Sequence, residues 1–227
     1  MANFGFEHLT VVAPFEAHWR EAKSAIGAPD LLQQAREAAT LGEAVAHCTL
    51  VAGTGTLDRR KPEQPVVLLP DLGPRLQPEL DGMGRVALVF GPEKHGLIRD
   101  DLSYCHMLVE IPTGPRQPSM NLGQAAAVCL YELACRSGPA GDSQPAKACE
   151  PPGPSSASLD RVAGLIEETM IATDYSPRAM QAANRHDLRL LLRRLALSAH
   201  DTRRVLGLFR RILWRLARTT PPADGEP

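Results

Sequence analysis

The 227-residue sequence contains only five cysteines, and their arrangement excludes a disulfide framework and a structural zinc site. No two of them form a CxxC pair, and an odd, scattered set cannot be fully paired. His47-Cys48 and Cys105-His106 are adjacent pairs at the ends of apolar, strand-like runs. Neighbouring side chains on a strand point to opposite faces, so one ion could not easily bind both members of a pair. We expect no metal site.

Long apolar runs are also missing. No uninterrupted apolar segment approaches the roughly 18 residues that a membrane helix requires. The first residues lack a basic segment followed by an apolar one, which is the pattern of a secretory signal. These absences predict a cytoplasmic protein that does not insert into a membrane.

Two common nucleotide-binding motifs are absent or incomplete. No G-x-x-x-x-G-K-[ST] segment occurs, which excludes a P-loop. Gly53-Thr54-Gly55 begins a G-x-G-x-x-G pattern, but Asp58 occupies the third glycine position, which disfavours a nicotinamide dinucleotide site. From the residues alone, the segment after Gly53 is equally well a tight turn or a ligand contact.

Short apolar runs alternate with helical patterns through the first 136 residues. This alternation predicts an α/β domain built around a parallel sheet. One helix is expected over Leu31–Ala46. The predicted strands are Leu9–Val12, Thr49–Ala52, Val66–Leu69, Val86–Phe90 and Met107–Ile111.

The segment from Val86 to Glu132 combines two strand ends with a helix start. The first strand stops at Gly91, and the second stops at a loop rich in proline and glycine. Ser119 or Asn121 is placed to cap the helix that follows. Loops at the carboxyl ends of parallel strands bind ligands in α/β proteins, and the free N–H groups of a helix start attract polar or anionic atoms. The segment therefore predicts a ligand cradle.

The composition also divides the chain into separate units. Residues 137–157 are rich in proline, glycine and serine and contain almost no large apolar residue, which predicts a flexible linker. The α/β domain covers residues 1–136, a helical domain covers 158–218, and residues 219–227 are expected to be a disordered tail.

Positive charge in the helical domain comes from arginine alone. Residues 158–218 contain 12 arginines, no lysine and 6 acidic residues. Guanidinium groups make planar, bidentate contacts with phosphate, so this unit is expected to bind RNA, with a merely solvated face as the alternative. The apolar spacing predicts three to four helices, with Phe209 and Trp214 on the apolar face of the last one.

Two motifs in the cradle resemble those of a known family. FGPEKHGL (Phe90–Leu97) and IPTGPRQPSMNLGQAAAVCLYE (Ile111–Glu132) resemble the second and third motifs of the SPOUT superfamily of RNA 2′-O-ribose methyltransferases. Those motifs read approximately FGxExxGL and IPxxxxxxSLNLxxAxxxxxYE, and both match in order and spacing. The resemblance extends to Asn3–Phe6, to LVAGTGTLDRR (Leu50–Arg60) and to the basic helical tail. The whole set is most similar to the TrmJ group of tRNA methyltransferases, which act on the ribose at position 32 of the anticodon loop.

The resemblance implies a fold, a cofactor and partners. The fold would be a parallel-sheet α/β domain with a deep trefoil knot, followed by a small all-α domain. The cofactor would be S-adenosyl-L-methionine and the substrate tRNA, and the enzyme would be a homodimer whose active site uses both subunits. Ser119 and Asn121 would orient the reacting ribose or its phosphate. The implied cofactor-binding residues are Thr54, Gly55, Thr56, Gly91, Glu93, Gly96, Leu97, Ile111, Ser119, Met120 and Asn121. The implied RNA-binding residues are Arg59, Arg60, Arg193, Arg194, Arg203, Arg204, Arg210 and Arg211.

The same resemblance implies a first motif, approximately NxGxxxR, ahead of Asn3. It is missing from the sequence, so a truncated chain or a misassigned start at Met1 is expected, with a natural short start as the alternative. The arginine of that motif is considered the catalytic base, and Arg59, Arg60 and Arg116 lie outside the matching position. An alternative function is therefore a catalytically impaired module that binds RNA and cofactor. A third, a nucleotide-dependent oxidoreductase, would require adenine dinucleotide to bind more tightly than S-adenosylmethionine.

Overall fold

The computed structural model describes residues 1–15, 19–21, 29–55, 62–136 and 151–219. Its strands are β1 (Thr10–Val12), β2 (Arg36–Ala38), β3 (Leu50–Thr54), β4 (Val66–Leu68), β5 (Val86–Val89) and β6 (Met107–Glu110). Its helices are α1 (Pro29–Gln33), α2 (Leu41–Val45), α3 (Leu69–Asp81), α4 (Arg99–Leu102), α5 (Leu122–Arg136), α6 (Ser156–Ala172), α7 (Gln181–Arg194) and α8 (Ala199–Thr219). Short 3₁₀ turns span Ala2–Phe4, Trp19–Glu21 and Arg178–Met180.

A four-stranded parallel sheet in the order β4-β6-β3-β5 forms the centre of the first unit. Strands β1 and β2 pair in parallel and form a second, two-stranded sheet. The predicted parallel α/β architecture is thus confirmed. The strand order reverses around β3, because β5 pairs with one of its edges and β6 with the other. Such a reversal creates a crevice at the carboxyl ends of the strands.

The helix expected over Leu31–Ala46 is wrong. The chain there forms α1, strand β2 and α2 in turn. Arg36–Ala38 becomes a strand because it pairs with β1, and the N–H of Arg36 donates to the carbonyl of Leu9 at 2.9 Å. Thr40 then starts α2, since its hydroxyl accepts a hydrogen bond from the N–H of Glu43.

Apolar side chains cover both faces of the large sheet. On one face Val51 and Leu108 pack with Leu41 and Val45 of α2. On the other, Ala52 and Val109 pack with leucines of α3 and Cys129 of α5. Adjacent strand residues point to opposite faces, so an unbroken apolar run fills both layers. Burial raises the pKa of the Cys105 thiol to about 12 and that of Cys129 to about 11, so both remain neutral packing groups.

The second unit consists of α6, α7 and α8. Val162 and Ala163 of α6 pack with Leu188 and Leu192 of α7 in a core separate from that of the sheet. The hydroxyl of Ser155 accepts from the N–H of Ser158 and caps α6.

The end of the predicted linker is ordered against the sheet. Helix α6 begins at Ser156, within the range assigned to the linker, and the N–H of Ser156 donates to the carbonyl of Cys48 at 2.8 Å. The N–H of Gly153 donates to a carboxylate oxygen of Glu79 at 3.3 Å. These hydrogen bonds fix Gly153 and Ser156, which were expected to be flexible. Composition alone does not indicate such contacts with distant residues.

Candidate active site

The carboxyl ends of β3, β5 and β6 meet at one edge of the sheet. The register sets Gly53 beside Val89 and Thr54 beside Val109. Thr54 is buried, and its hydroxyl donates to the carbonyl of Val89 at 3.0 Å. This edge therefore brings together the three segments that carry the predicted cofactor residues.

The loop after β5 is folded tightly back on itself at Gly91. A side chain at this position would overlap the backbone of Gly96 and Leu97. Gly96 has a φ of 62°, a left-handed conformation that favours glycine. Its N–H donates to the carbonyl of Pro92 at 2.8 Å. Both glycines are thus required by the shape of the loop itself.

Two predicted residues, Glu93 and Asn121, join this loop to the start of α5. The side-chain amide of Asn121 donates to Oε1 of Glu93 at 2.5 Å. Oδ1 of Asn121 accepts from the N–H groups of Gly123 at 2.9 Å and Gln124 at 3.3 Å, so Asn121 caps the helix. The N–H of Leu122 lies 3.4 Å from the same Glu93 oxygen. The first N–H groups of α5 are therefore satisfied within the protein, contrary to the expectation that they are free to hold a ligand.

The remaining predicted residues differ in how much surface they present. Ser119 is exposed, whereas Ile111 and Met120 are half-buried. Among the described residues, none has an atom within 4 Å of a side chain placed on Gly55, so open space adjoins the end of β3 there. Leu97 is only 3% exposed and packs in the core with Val51 and Cys105, which makes it a support of the loop. Thr56, Arg59 and Arg60 lie outside the described residues.

The predicted RNA-binding arginines of α7 are engaged within the protein. Arg193 is buried, and it donates to Asp160 and to the carbonyl of Tyr104. Its burial between the two units removes it from the surface where phosphate could be bound. Arg194 remains exposed, 3.0 Å from the carboxylate of Glu63.

The predicted arginines of α8, by contrast, are exposed: Arg203, Arg204, Arg210 and Arg211. Trp214 is 42% exposed and lies among them, contrary to the expectation that it belongs to the apolar face. Phe209 is half-buried on the opposite side. At 3.6 residues per turn, Trp214 follows Arg210 and Arg211 by one turn, a pattern visible in the sequence.

A separate cavity of about 570 Å³ lies at the amino-terminal edge of the sheet, between β3, β6 and the helical unit. His106 lines it, and the N–H of Val51 donates to its Nδ1 at 3.1 Å. Burial, with a smaller effect of the Arg193 charge, lowers the pKa of His106 to about 3, so the imidazole is neutral. The predicted cofactor residues lie at the opposite edge, so this cavity is not their site.

Two features are absent from the described part of the chain. No group of three or more His, Cys, Asp and Glu side chains there is arranged to hold a metal ion. None of the helices described combines the length and apolar character needed to cross a membrane.

Sequence comparisons relate the chain to a protein family and to individual proteins. Residues 1–131 match the SpoU rRNA Methylase family. The chain is 33% identical over 230 residues to the tRNA (cytidine/uridine-2′-O-)-methyltransferase TrmJ of Salmonella typhimurium, covering 94% of this chain and 86% of the relative. It is 38% identical over 134 residues to the tRNA (cytidine/uridine/adenosine-2′-O-)-methyltransferase TrmJ of Pseudomonas aeruginosa, covering 59% of this chain and about half, 52%, of that relative.

A solved structure agrees with the sequence relatives. The crystal structure of TrmJ from Z. mobilis ZM4 superposes with a TM-score of 0.79 at 28% identity, covering 94% of this chain and 90% of that one. The match includes the parallel sheet and the C-terminal helices. The chain belongs to the SpoU rRNA Methylase family.

Proposed function

We propose that this protein is an S-adenosyl-L-methionine-dependent tRNA ribose 2′-O-methyltransferase. The observation that carries the proposal is the bond between Glu93 and Asn121, which joins the two family motifs at the carboxyl edge of the sheet. Family membership and the named activities of the TrmJ relatives support the reaction class and the tRNA substrate. The ribose at position 32 of the anticodon loop is the proposed target.

The residues at this edge fit the proposed cofactor. A side chain on Gly96 or on Gly55 would meet no described atom within 4 Å, so open space adjoins both positions. Half-buried Ile111 and Met120 offer apolar surface for a flat adenine, and Glu93 with Ser119 offers polar atoms. Such a mixture of apolar wall and few polar groups is typical of a cofactor site. When bound, S-adenosyl-L-methionine supplies a methyl group on a positively charged sulfur.

The protein's own contribution is orientation. A ribose hydroxyl must approach the methyl donor in line at roughly 3 to 3.5 Å, and holding reactants in that geometry removes much of the barrier. The Ser119 hydroxyl can donate and accept hydrogen bonds but is no base at neutral pH, and the Asn121 amide has no basic group. We therefore assign both residues to positioning. The Glu93 contact fixes Asn121, and Asn121 fixes the start of α5 behind Ser119.

We further propose that the loop carrying Ser119 threads through the neighbouring loop to form a trefoil knot. The insertion of β6 between β3 and β4 and the link from Glu93 to Asn121 support this path. An experimental structure in which residues 112–121 pass outside the loop at residues 91–97 would contradict it.

A homodimer is proposed from an exposed face of α5. Val128 and Tyr131 lie on that face and remain accessible, and the ring of Phe4 contacts Tyr131 edge-on with 5.9 Å between centroids. Aromatic and aliphatic side chains exposed together are typical of interfaces. Sedimentation should detect a dimer at micromolar concentration, and Tyr131→Glu should dissociate it; a monomeric wild-type protein would contradict the proposal.

The direct test combines purified protein, tRNA transcript and methyl-labelled S-adenosyl-L-methionine. We expect label at the 2′-oxygen of nucleotide 32, which a reverse-transcription or mass-spectrometric map of ribose methylation would locate. Binding of cofactor and tRNA without any methylation would instead indicate a binding module. Tighter binding of adenine dinucleotide than of S-adenosyl-L-methionine would indicate an oxidoreductase.

A cytoplasmic location, where tRNA is processed, is proposed with this function, and cell fractionation would test it.

A further inference from the structure

Helix α8 separates its side chains into two faces with opposite chemistry. Val205, Phe209 and Ile212 are half-buried on one side, and Val205 packs against the core of the helical unit. At 3.6 residues per turn, the opposite face spans an arc of about 140°. Its members are Arg203, Arg204, Arg210, Arg211, Trp214, Arg215 and Arg218. The only acidic residue of α8 is Asp201, in its first turn.

The arginines of α7 differ from those of α8 in their partners. On α7, Arg185 pairs with Glu167, Arg189 with Asp100, and Arg193 with Asp160. Within the described ranges, neither Arg211 nor Arg218 forms an ion pair with a carboxylate. Among the described residues, Arg211 and Arg218 of α8 thus differ from these three arginines of α7, each of which is paired with a carboxylate.

Trp214 lies in the middle of that face. The guanidinium carbon of Arg211 is 4.0 Å from the centroid of its ring, and that of Arg218 is 4.4 Å away. These are cation–π contacts, and they hold the indole against its helix in a defined orientation. An indole anchoring α8 to the protein would face the apolar side, yet this one is 42% exposed.

We propose that Arg211, Trp214 and Arg218 form a binding site for an unpaired base of tRNA. This proposal rests on the proposed tRNA substrate and adds the residue that contacts a base. Bases of single-stranded RNA stack on aromatic rings and on guanidinium planes, and this cluster combines both, with the two guanidinium groups lying over a partly exposed indole. The exposed Arg203, Arg204 and Arg210 of the same face bind the flanking phosphates. A base-paired stem has no free base face to offer, so the site selects loop nucleotides over stems.

A purely structural role leads to a different expectation. If the arginines only cover the indole, its removal would leave RNA affinity unchanged, because phosphate contacts need no aromatic ring. If the indole stacks on a base, its removal lowers affinity without changing the number of phosphate contacts. The affinity and its salt dependence together distinguish the two roles.

The binding test compares Trp214→Ala, Trp214→Phe and the control Arg185→Ala by fluorescence anisotropy with labelled tRNA. Trp214→Ala should weaken binding by roughly five- to a hundredfold while the slope against salt concentration stays constant. Trp214→Phe should recover most of the loss. Arg210→Ala, which removes one of the proposed phosphate contacts, should reduce the salt slope by about 1. Arg185→Ala should bind within twofold of the wild type, since Arg185 is paired with Glu167.

A second measurement reports on the indole itself. The sequence has two tryptophans, so a Trp19→Phe background leaves Trp214 as the only one. A single-stranded oligoribonucleotide should quench its emission, and a duplex RNA of equal charge should not. Unchanged affinity of a folded Trp214→Ala variant, or equal quenching by duplex and single strand, would overturn the proposal.

The same preparations separate this proposal from the proposed function. Methylation of tRNA with normal binding by Trp214→Ala would refute only the base-binding site. Loss of RNA affinity in Trp214→Ala, in a protein that never methylates tRNA, would refute only the methyltransferase activity.

Discussion

Arg193 of α7 donates from Nε to the main-chain carbonyl of Tyr104 at 3.0 Å, and this bond connects the helical unit to the α/β unit. The same guanidinium donates to Oδ1 of Asp160 at 3.1 Å, and its side chain is only 1% exposed. The guanidinium of Arg189 also contacts this tyrosine, lying over the Tyr104 ring at 4.5 Å from its centroid. Arg193, a buried arginine of the helical unit, thus connects the two units instead of facing solvent.

Replacing Arg193 with alanine should lower the free energy of unfolding by about 1–3 kcal/mol, because it leaves a buried carbonyl and a carboxylate without their donor. Arg194→Ala is the matched control: its exposed pair with Glu63 should contribute at most about 1 kcal/mol. Urea denaturation of both variants measures the difference. Equal stability of the two would show that the Tyr104 contact contributes nothing measurable.

Asn121→Ala should weaken cofactor binding more than it weakens the fold. The variant loses the cap of α5, which typically costs about 0.5–2 kcal/mol, and also the link to Glu93. Ser155→Ala removes a comparable cap from α6, far from the cradle. Calorimetry with S-adenosyl-L-homocysteine should show reduced affinity for Asn121→Ala alone. If both variants bind equally well, Asn121 serves only as a helix cap.

Gly91→Ala should affect the stability of the fold, whereas Gly55→Ala should affect only ligand binding. At Gly91 the added methyl group overlaps the backbone of Gly96 and Leu97, so the variant should melt at a lower temperature or aggregate. At Gly55 the methyl group enters open space, so the protein should fold normally. Reduced cofactor affinity in a normally stable Gly55→Ala would show that this space is used by the ligand. Thermal melts and calorimetry of the pair provide the readout, and a stable Gly91→Ala would contradict the described loop.

His106 should make the fold sensitive to acid. Its pKa in the folded protein is lowered to about 3 by burial, whereas the unfolded chain has the usual value of about 6.5. Between these values the unfolded state binds a proton that the native state does not, so stability falls with decreasing pH by about 1.4 kcal/mol per unit. His106→Gln should flatten that part of the profile. Parallel acid slopes for His106→Gln and the wild type would contradict the neutral, buried imidazole.

Features encoded by neighbouring residues were predictable from the sequence. Asn121 caps α5 because its side chain reaches N–H groups two and three residues ahead, a relationship contained in the local sequence. The apolar runs also located β3 and β5, although β3 extends to Thr54, two residues beyond the predicted end at Ala52. The arginine face around Trp214 could also have been derived, since residues three and four apart share a helix face.

Features that depend on distant partners were not predictable. Arg36–Ala38 is a strand only because β1 lies beside it, and nothing within the three residues indicates this. Arg193 has the same side chain as Arg194 next to it, and only the position of Tyr104 decides which of the two is buried. Composition therefore identified the arginine-rich unit but not which of its arginines are exposed at the surface.

The two units meet at the amino-terminal edge of the sheet, near Cys48 and Tyr104, whereas the cradle occupies the carboxyl edge. The five residues of β3 separate these edges by about 16 Å. The length of β3 therefore sets how far the contact between the two units lies from the proposed cofactor site.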